Sequence, residues 1–163
     1  MGPLLFAAGL LATLAGCETV STVPAEDTYQ PPPPGVAVVH LKGSSINEDG
    51  MFGSQHRGFV IMVDLKSVQD AADHWDEPVL LTPGHHTIAA EYRYSNFMTR
   101  AYIPFDAKAG GNYQLMIKSG QGEDGRRYND FWIVDLAINQ PVTPVYHRQV
   151  SGGKKGTLFN IPT

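Results

Sequence analysis

Residues 80–94 read LLTPGHHTIAAEYRY, and this stretch decides the fold. A short apolar run reaches a Pro-Gly turn, a His pair follows, and apolar and polar residues then alternate. Ile88, Ala90, Tyr92 and Tyr94 fall on one side, Thr87, Glu91 and Arg93 on the other. Alternation with a period of two after a Pro-Gly break is a strand leaving a turn with one face buried. The same grammar recurs in both directions from here.

Upstream, residues 36–43 (VAVVHLKG) and 59–65 (FVIMVDL) read as strands, with 64–67 as a tight reversal. Residues 44–58 are turn-rich. Residues 69–77 (QDAADHWDE) are the most polar part of the domain and read as either a single helical turn or a loop crossing between sheets. Downstream, 97–105 (FMTRAYIPF) alternates after a tight Ser95-Asn96 hairpin. Pro104 cannot donate to a ladder, so this strand is an edge or ends at a bulge. Residues 113–118 (YQLMIK) form a strand with Tyr113, Leu115 and Ile117 inward, and 119–129 a long polar loop. In 131–138 (FWIVDLAI) the expected inner face is Trp132, Val134, Leu136 and Ile138, and 142–146 adds a short edge. Seven or eight short strands between Gly/Pro turns, with little helix, predict an all-β antiparallel sandwich.

The 163 residues divide into 1–16, a signal peptide; 17–35, a modified N-terminus and Pro-rich linker; 36–150, the sandwich; and 151–163, a loosely ordered Gly/Lys tail. Residues 36–150 are enough to bury a core without disulfides or metal. A formal net charge of -4, with Lys and Arg clustered only at Arg126-Arg127 and Lys154-Lys155, points away from nucleic acid. One cysteine, Cys17, precludes an intramolecular disulfide.

Residues 3–14 (PLLFAAGLLATL) are too short an apolar run to span a bilayer but suit the core of a secretory signal. The following Leu14-Ala15-Gly16-Cys17 resembles the lipobox of bacterial lipoproteins. That resemblance implies cleavage between Gly16 and Cys17, diacylglycerol on the Cys17 thiol and an acyl chain such as palmitate on the new amino terminus. Met1-Gly2 lacks the positive charge with which such signals begin. The implied location is the cell envelope, facing the periplasm, and Glu18 in place of Asp after the cysteine favours the outer over the inner membrane. The lipid anchor makes the membrane a partner, and an envelope protein is a further candidate partner. Residues 18–35 lack periodicity and end in Pro31–Pro34, an extended spacer in the polyproline form.

Leu81-x-Pro83-Gly84-x-His86, then Phe105-x-Ala107-x-Ala109-Gly110-x-x-Tyr113, then 131–135 (FWIVD) is similar to the small sandwich of many proteobacterial lipoproteins and to PEGA-type and transthyretin-like modules. The match covers residues 36–142. Those families share no catalytic residues, so the resemblance implies a fold and no chemistry.

Six histidines raise the question of metal. The densest candidate is Asp73, His74 and His85, with Asp70, Asp76 and His86 nearby if the polar segment folds back on the Pro-Gly turn. Against it, adjacent His85 and His86 on a strand point to opposite faces. The doublets Glu48-Asp49 and Glu123-Asp124 each precede Gly, which is turn chemistry. Ser54 and His56 share a loop but lack a nucleophile elbow and an orienting Asp, so the chain reads as a non-catalytic module without a cofactor. The alternative is a periplasmic binder of metal or a small ligand around His74 and His85. Trp75, in the polar segment, and Tyr128, in the long loop, are the aromatic candidates for ligand binding, because loops carry recognition on rigid sandwiches.

Overall fold

The computed structural model describes residues 25–47, 55–94 and 97–150. Cys17 and the signal expected at 1–16, the hairpin expected at Ser95-Asn96, the Glu48-Asp49 doublet, Ser54 and the tail expected at 151–163 lie outside them. The described chain is a two-sheet β-sandwich.

Eleven strands are found among the described residues. They are β1 (Val39–Lys42), β2 (Ser44–Asn47), β3 (Gln55–Val63), β4 (Lys66–Ser67), β5 (Val79–Leu81) and β6 (Gly84–Tyr94), followed by β7 (Phe97–Ala107), β8 (Asn112–Gln121), β9 (Arg127–Asp135), β10 (Gln140–Pro141) and β11 (Tyr146–Gln149). One sheet runs β2-β3-β6-β7, with β4 beside β3. The other runs β10-β9-β8-β1-β5, with β11 also on β9. All ladders are antiparallel except β1 with β8. The surplus over seven or eight strands comes from short pieces such as β4, β5 and β10.

The stretch 84–94 forms the central strand it predicts. Ile88, Ala90 and Tyr92 point into the core with Val60 and Val63 of β3 and Ala101, Ile103 and Phe105 of β7. β7 is the edge of its sheet, where Pro104 removes no bond that a neighbour needs. From the facing sheet come Leu41, Leu81, Tyr113, Leu115, Phe131 and Ile133. Phe105 meets Tyr113 edge-on at 4.8 Å. Each such side chain contributes about 1.5–3 kcal/mol by leaving water.

The run 36–43 supplies β1 alone, and β2 follows within 44–58, the stretch read as turn-rich. The chain changes sheet at Gly43, so β1 lies in one sheet and β2 in the other, which is how sandwich corners are turned. Gly43 donates its N–H to the Trp75 carbonyl at 3.0 Å. The reversal at 64–67 is a two-residue hairpin with Asp64 (φ 50°) and Leu65 (φ 68°) both left-handed, the geometry that matches strand twist. A bulge at Ile61 follows from the register step between Val60 and Met62.

Several expectations change. In β9 the core face is Phe131 and Ile133, while Trp132 is half-buried on the other side and Leu136 and Ile138 lie past the strand, exposed. The run is apolar on both faces, so alternation could not choose. Pairing did, because Ile117 sits opposite Phe131 and Leu115 opposite Ile133, which puts each pair on one face. The polar loop is shorter than 119–129, since the β8–β9 ladder extends to Gln121 opposite Arg127 and Gly125 (φ 76°) turns the chain. Tyr128 is therefore a strand residue. The edge expected at 142–146 is displaced to Tyr146–Gln149.

The spacer is also shorter than 18–35. Thr28 bridges Ser67 in parallel, and Tyr29 donates its N–H to Ser67 O and its hydroxyl to Leu80 O, both at 2.8 Å. Pro33-Pro34-Gly35-Val36 is a β-turn closed by Val36 N–H on Pro33 O, with Gly35 at φ 89° as a type II turn requires. The last prolines thus bend the chain into β1 in place of extending it.

Candidate functional site

The segment 69–77 crosses from β4 in one sheet to β5 in the other and includes one helical turn, with Asp73 and His74 N–H groups on Asp70 O. Asp70 adopts φ 49°, a conformation Asp tolerates better than most residues. Between this segment and the Tyr29 arm lies a groove of about 420 Å³, within the range of small-ligand sites. Phe59, Val60, Val79 and Leu80 form its apolar part, and Tyr29, Pro31, Trp75 and Pro78 add aromatic and proline surface. Gln69, Asp70, His74 and Glu77 supply the polar groups. Trp75 is half-buried, and the Arg57 guanidinium lies 5.7 Å from its ring centroid.

His74 Nδ1 is 2.9 Å from Glu77 Oε1. That hydrogen bond, then the Glu77 charge with smaller help from Asp70 and Asp73, outweighs a slight desolvation and raises the His74 pKa above the ordinary histidine value. His85 instead points away to Asp106, at 2.8 Å. No group of three or more His, Cys, Asp or Glu side chains suited to a metal ion occurs among the described residues. Asp73, His74 and His85 do not converge, because the crossing segment folds toward Tyr29 and leaves the Pro-Gly turn alone.

Strand alternation splits the His pair as the sequence requires: His85 is exposed and His86 buried. His86 Nδ1 faces Asp64 Oδ2 at 2.7 Å and Nε2 faces the Thr82 carbonyl at 2.8 Å. Both partners are acceptors, so both bonds form together only when both ring nitrogens carry hydrogen. The Thr82 hydroxyl is farther off, 3.5 Å from Nε2. The arrangement pins the β3–β4 and β5–β6 turns to each other and offers no free base to a nucleophile.

Asp64 completes the pin by accepting the Thr87 N–H at 2.8 Å. Partial burial opposes its ionisation. The Thr87 and His86 hydrogen bonds, with the charges of His86 and His85, prevail and hold its carboxyl below the usual value. A depressed folded pKa contributes stability that is present above the unfolded carboxylate value of about 3.9 and is lost as pH falls through the folded value. Asp64→Asn keeps the left-handed backbone. It is expected to cost about 1 kcal/mol at pH 7, a modest figure because the side chain is 49% exposed. The cost should shrink toward zero in urea melts as pH drops below about 4, and a pH-independent cost would contradict the assignment.

Tyr128 lines a second, smaller cleft of about 260 Å³ at an open end of the sandwich. There His56 stacks on Tyr94 at 4.0 Å and hydrogen-bonds the Tyr92 hydroxyl. Tyr128 itself tilts against His147 at 4.4 Å, and His147 is held by Asp130 at 2.8 Å. A chain of bonds from Ser119 through Asn129 to Thr99 closes the floor. Trp75 and Tyr128 therefore belong to different sites.

The sequence reading missed Tyr29 and weighed His56 only as a loop residue beside Ser54. Tyr29 stands between an acidic stretch and prolines, and its one signal was being the lone aromatic residue of a segment otherwise without apolar bulk. His56 lies in a Gly/Ser-rich run that looks like a turn, although it begins a strand. No protein-family model, curated protein or solved structure matches the chain.

Proposed function

We propose that this chain is an exported lipoprotein, held on a membrane of the cell envelope through Cys17, with a β-sandwich that serves as a non-catalytic binding module. The observation that carries the reading is Leu14-Ala15-Gly16-Cys17 directly behind the apolar 3–14 run and ahead of polar sequence. Acyl chains at about 0.8 kcal/mol per buried CH₂ give lasting attachment when two or more are present. The docked Thr28-Tyr29 arm supports a short tether, because the chain from Cys17 to Thr28 reaches at most roughly 40 Å when fully extended. The groove beside that arm would then face the space next to the membrane. The outer membrane is the proposed location.

The test is labelling with radioactive palmitate in growing cells followed by fractionation. Cys17→Ala is expected to abolish labelling and move essentially all the protein out of the membrane fraction. A variant that still labels, or stays with membranes in full, would overturn the anchor. Density-gradient separation of the wild-type membranes tests the outer-membrane assignment, which fails if the protein bands with the inner membrane.

A further inference from the structure

We infer that the groove between the Tyr29 arm and the 69–77 segment is a binding site for a neutral saccharide. This rests on the reading of the domain as a binding module and gives it a ligand class. Tyr29 and Trp75, brought from opposite ends of a 46-residue separation in sequence by the Thr28–Ser67 bridge and the β4–β5 crossing, both line the same groove. A saccharide ring has an apolar C–H face and a polar rim, and flat aromatic side chains match the first. Gln69 and Asp70 match the second, since a carboxylate offers two acceptor oxygens and a planar amide one acceptor oxygen and two N–H donors to neighbouring hydroxyls.

Charge narrows the class. No Lys or Arg lines the groove, and its one imidazole, His74, is held by Glu77. A phosphate or carboxylate ligand would meet the Asp70 and Glu77 carboxylates, with only His74, already paired with Glu77, to receive it. A wholly apolar guest would cover Asp70 and Gln69 and give their polar atoms nothing in exchange for water. The Arg57 guanidinium lies over the Trp75 indole, 5.7 Å from its centroid, and is not among the residues that line the groove. The volume, about 420 Å³, is open at the surface and suits part of a chain better than an enclosed small molecule.

The experiment is a titration of the ¹⁵N-labelled domain with chitotriose and with cellotriose, followed by amide shifts, with inorganic phosphate and tetramethylammonium as charged probes. Saturable shifts centred on Gln69, Asp70 and Trp75 are expected with at least one saccharide and neither charged probe. Trp75→Ala should weaken binding about tenfold or more, since it removes one of the aromatic side chains that line the groove. Gln69→Ala, an exposed position outside the core, should weaken it several-fold with the spectrum otherwise intact, which guards against a folding defect in the first variant. Tyr128→Ala, in the other cleft, should leave it unchanged. The inference is overturned if neither saccharide gives a saturable shift, if binding survives both Trp75→Ala and Gln69→Ala, or if tetramethylammonium or phosphate alone occupies the groove. None of these results alters palmitate labelling of Cys17, so the ligand and the anchor fail separately.

Discussion

Gly43→Ala is expected to destabilise the domain by about 3 kcal/mol or more, the upper end of what overpacking costs. A Cβ at position 43 would stand 2.2 Å from the Gly58 carbonyl oxygen and 2.4 Å from that of Trp75. Both are backbone atoms, so no side chain can rotate aside. Relief requires the β1–β2 corner to open or the 69–77 segment to lift, and either loosens the Gly43 N–H bond to Trp75. Chemical denaturation should show a lower midpoint with an unchanged slope. A loss under about 1 kcal/mol would mean that the corner is soft. The substitution should also disturb the groove, because Gly43 and Trp75 both line it.

The second large effect concerns Glu91. Alternation places it on the outer face of β6, yet it is fully buried. Arg93 and Arg100 close over it, with Arg93 Nη2 2.5 Å from Oε1 and Arg100 Nε 2.7 Å from Oε2. Arg93 also lies over the Phe59 ring, 5.4 Å from its centroid, so the aliphatic and cationic parts of the two arginines roof the sheet. Replacing both with methionine keeps apolar cover and removes both cations. An uncompensated buried carboxylate should then cost about 3–5 kcal/mol. Restoring fit with Glu91→Leu in that background should recover most of the loss, since an apolar residue of similar volume in place of a buried ion pair is often neutral or better. A double Met variant as stable as wild type would show that water reaches Glu91.

The two cases mark where sequence reasoning stopped. The strand at 84–94 and its inward residues were legible because a strand that turns one face to a core alternates with a period of two, and Ile88, Ala90 and Tyr92 join the core, although Ala89 and Glu91 on the other face are buried too. The same rule put Glu91 on the outer face, where it lies, but could not show its burial, because cover from arginines two and nine positions away is invisible in the pattern of a single strand. In 131–138 the rule chose the wrong face, since apolar residues stand on both faces and register against β8 settles the matter. His85 and His86 divided as their adjacency demands. Which acceptors His86 would find depended on the Asp64 turn, 22 residues earlier.

For the groove, Trp75 was legible as an aromatic residue in a polar segment. Tyr29 was not, because an extended arm carries no periodicity and its docking rests on one bridge to Ser67 and one hydroxyl bond to Leu80. By itself the sequence determined the fold class, the central strand and the Leu14–Cys17 signature, since each rests on local pattern or local chemistry. The tertiary structure alone decided the Gly43 corner, the face of β9, the burial of Glu91 and the docking of the Tyr29 arm beside Ser67 and Leu80. Each of these depends on backbones distant in sequence coming within a few ångströms, and that is fixed only when two sheets close on a shared core.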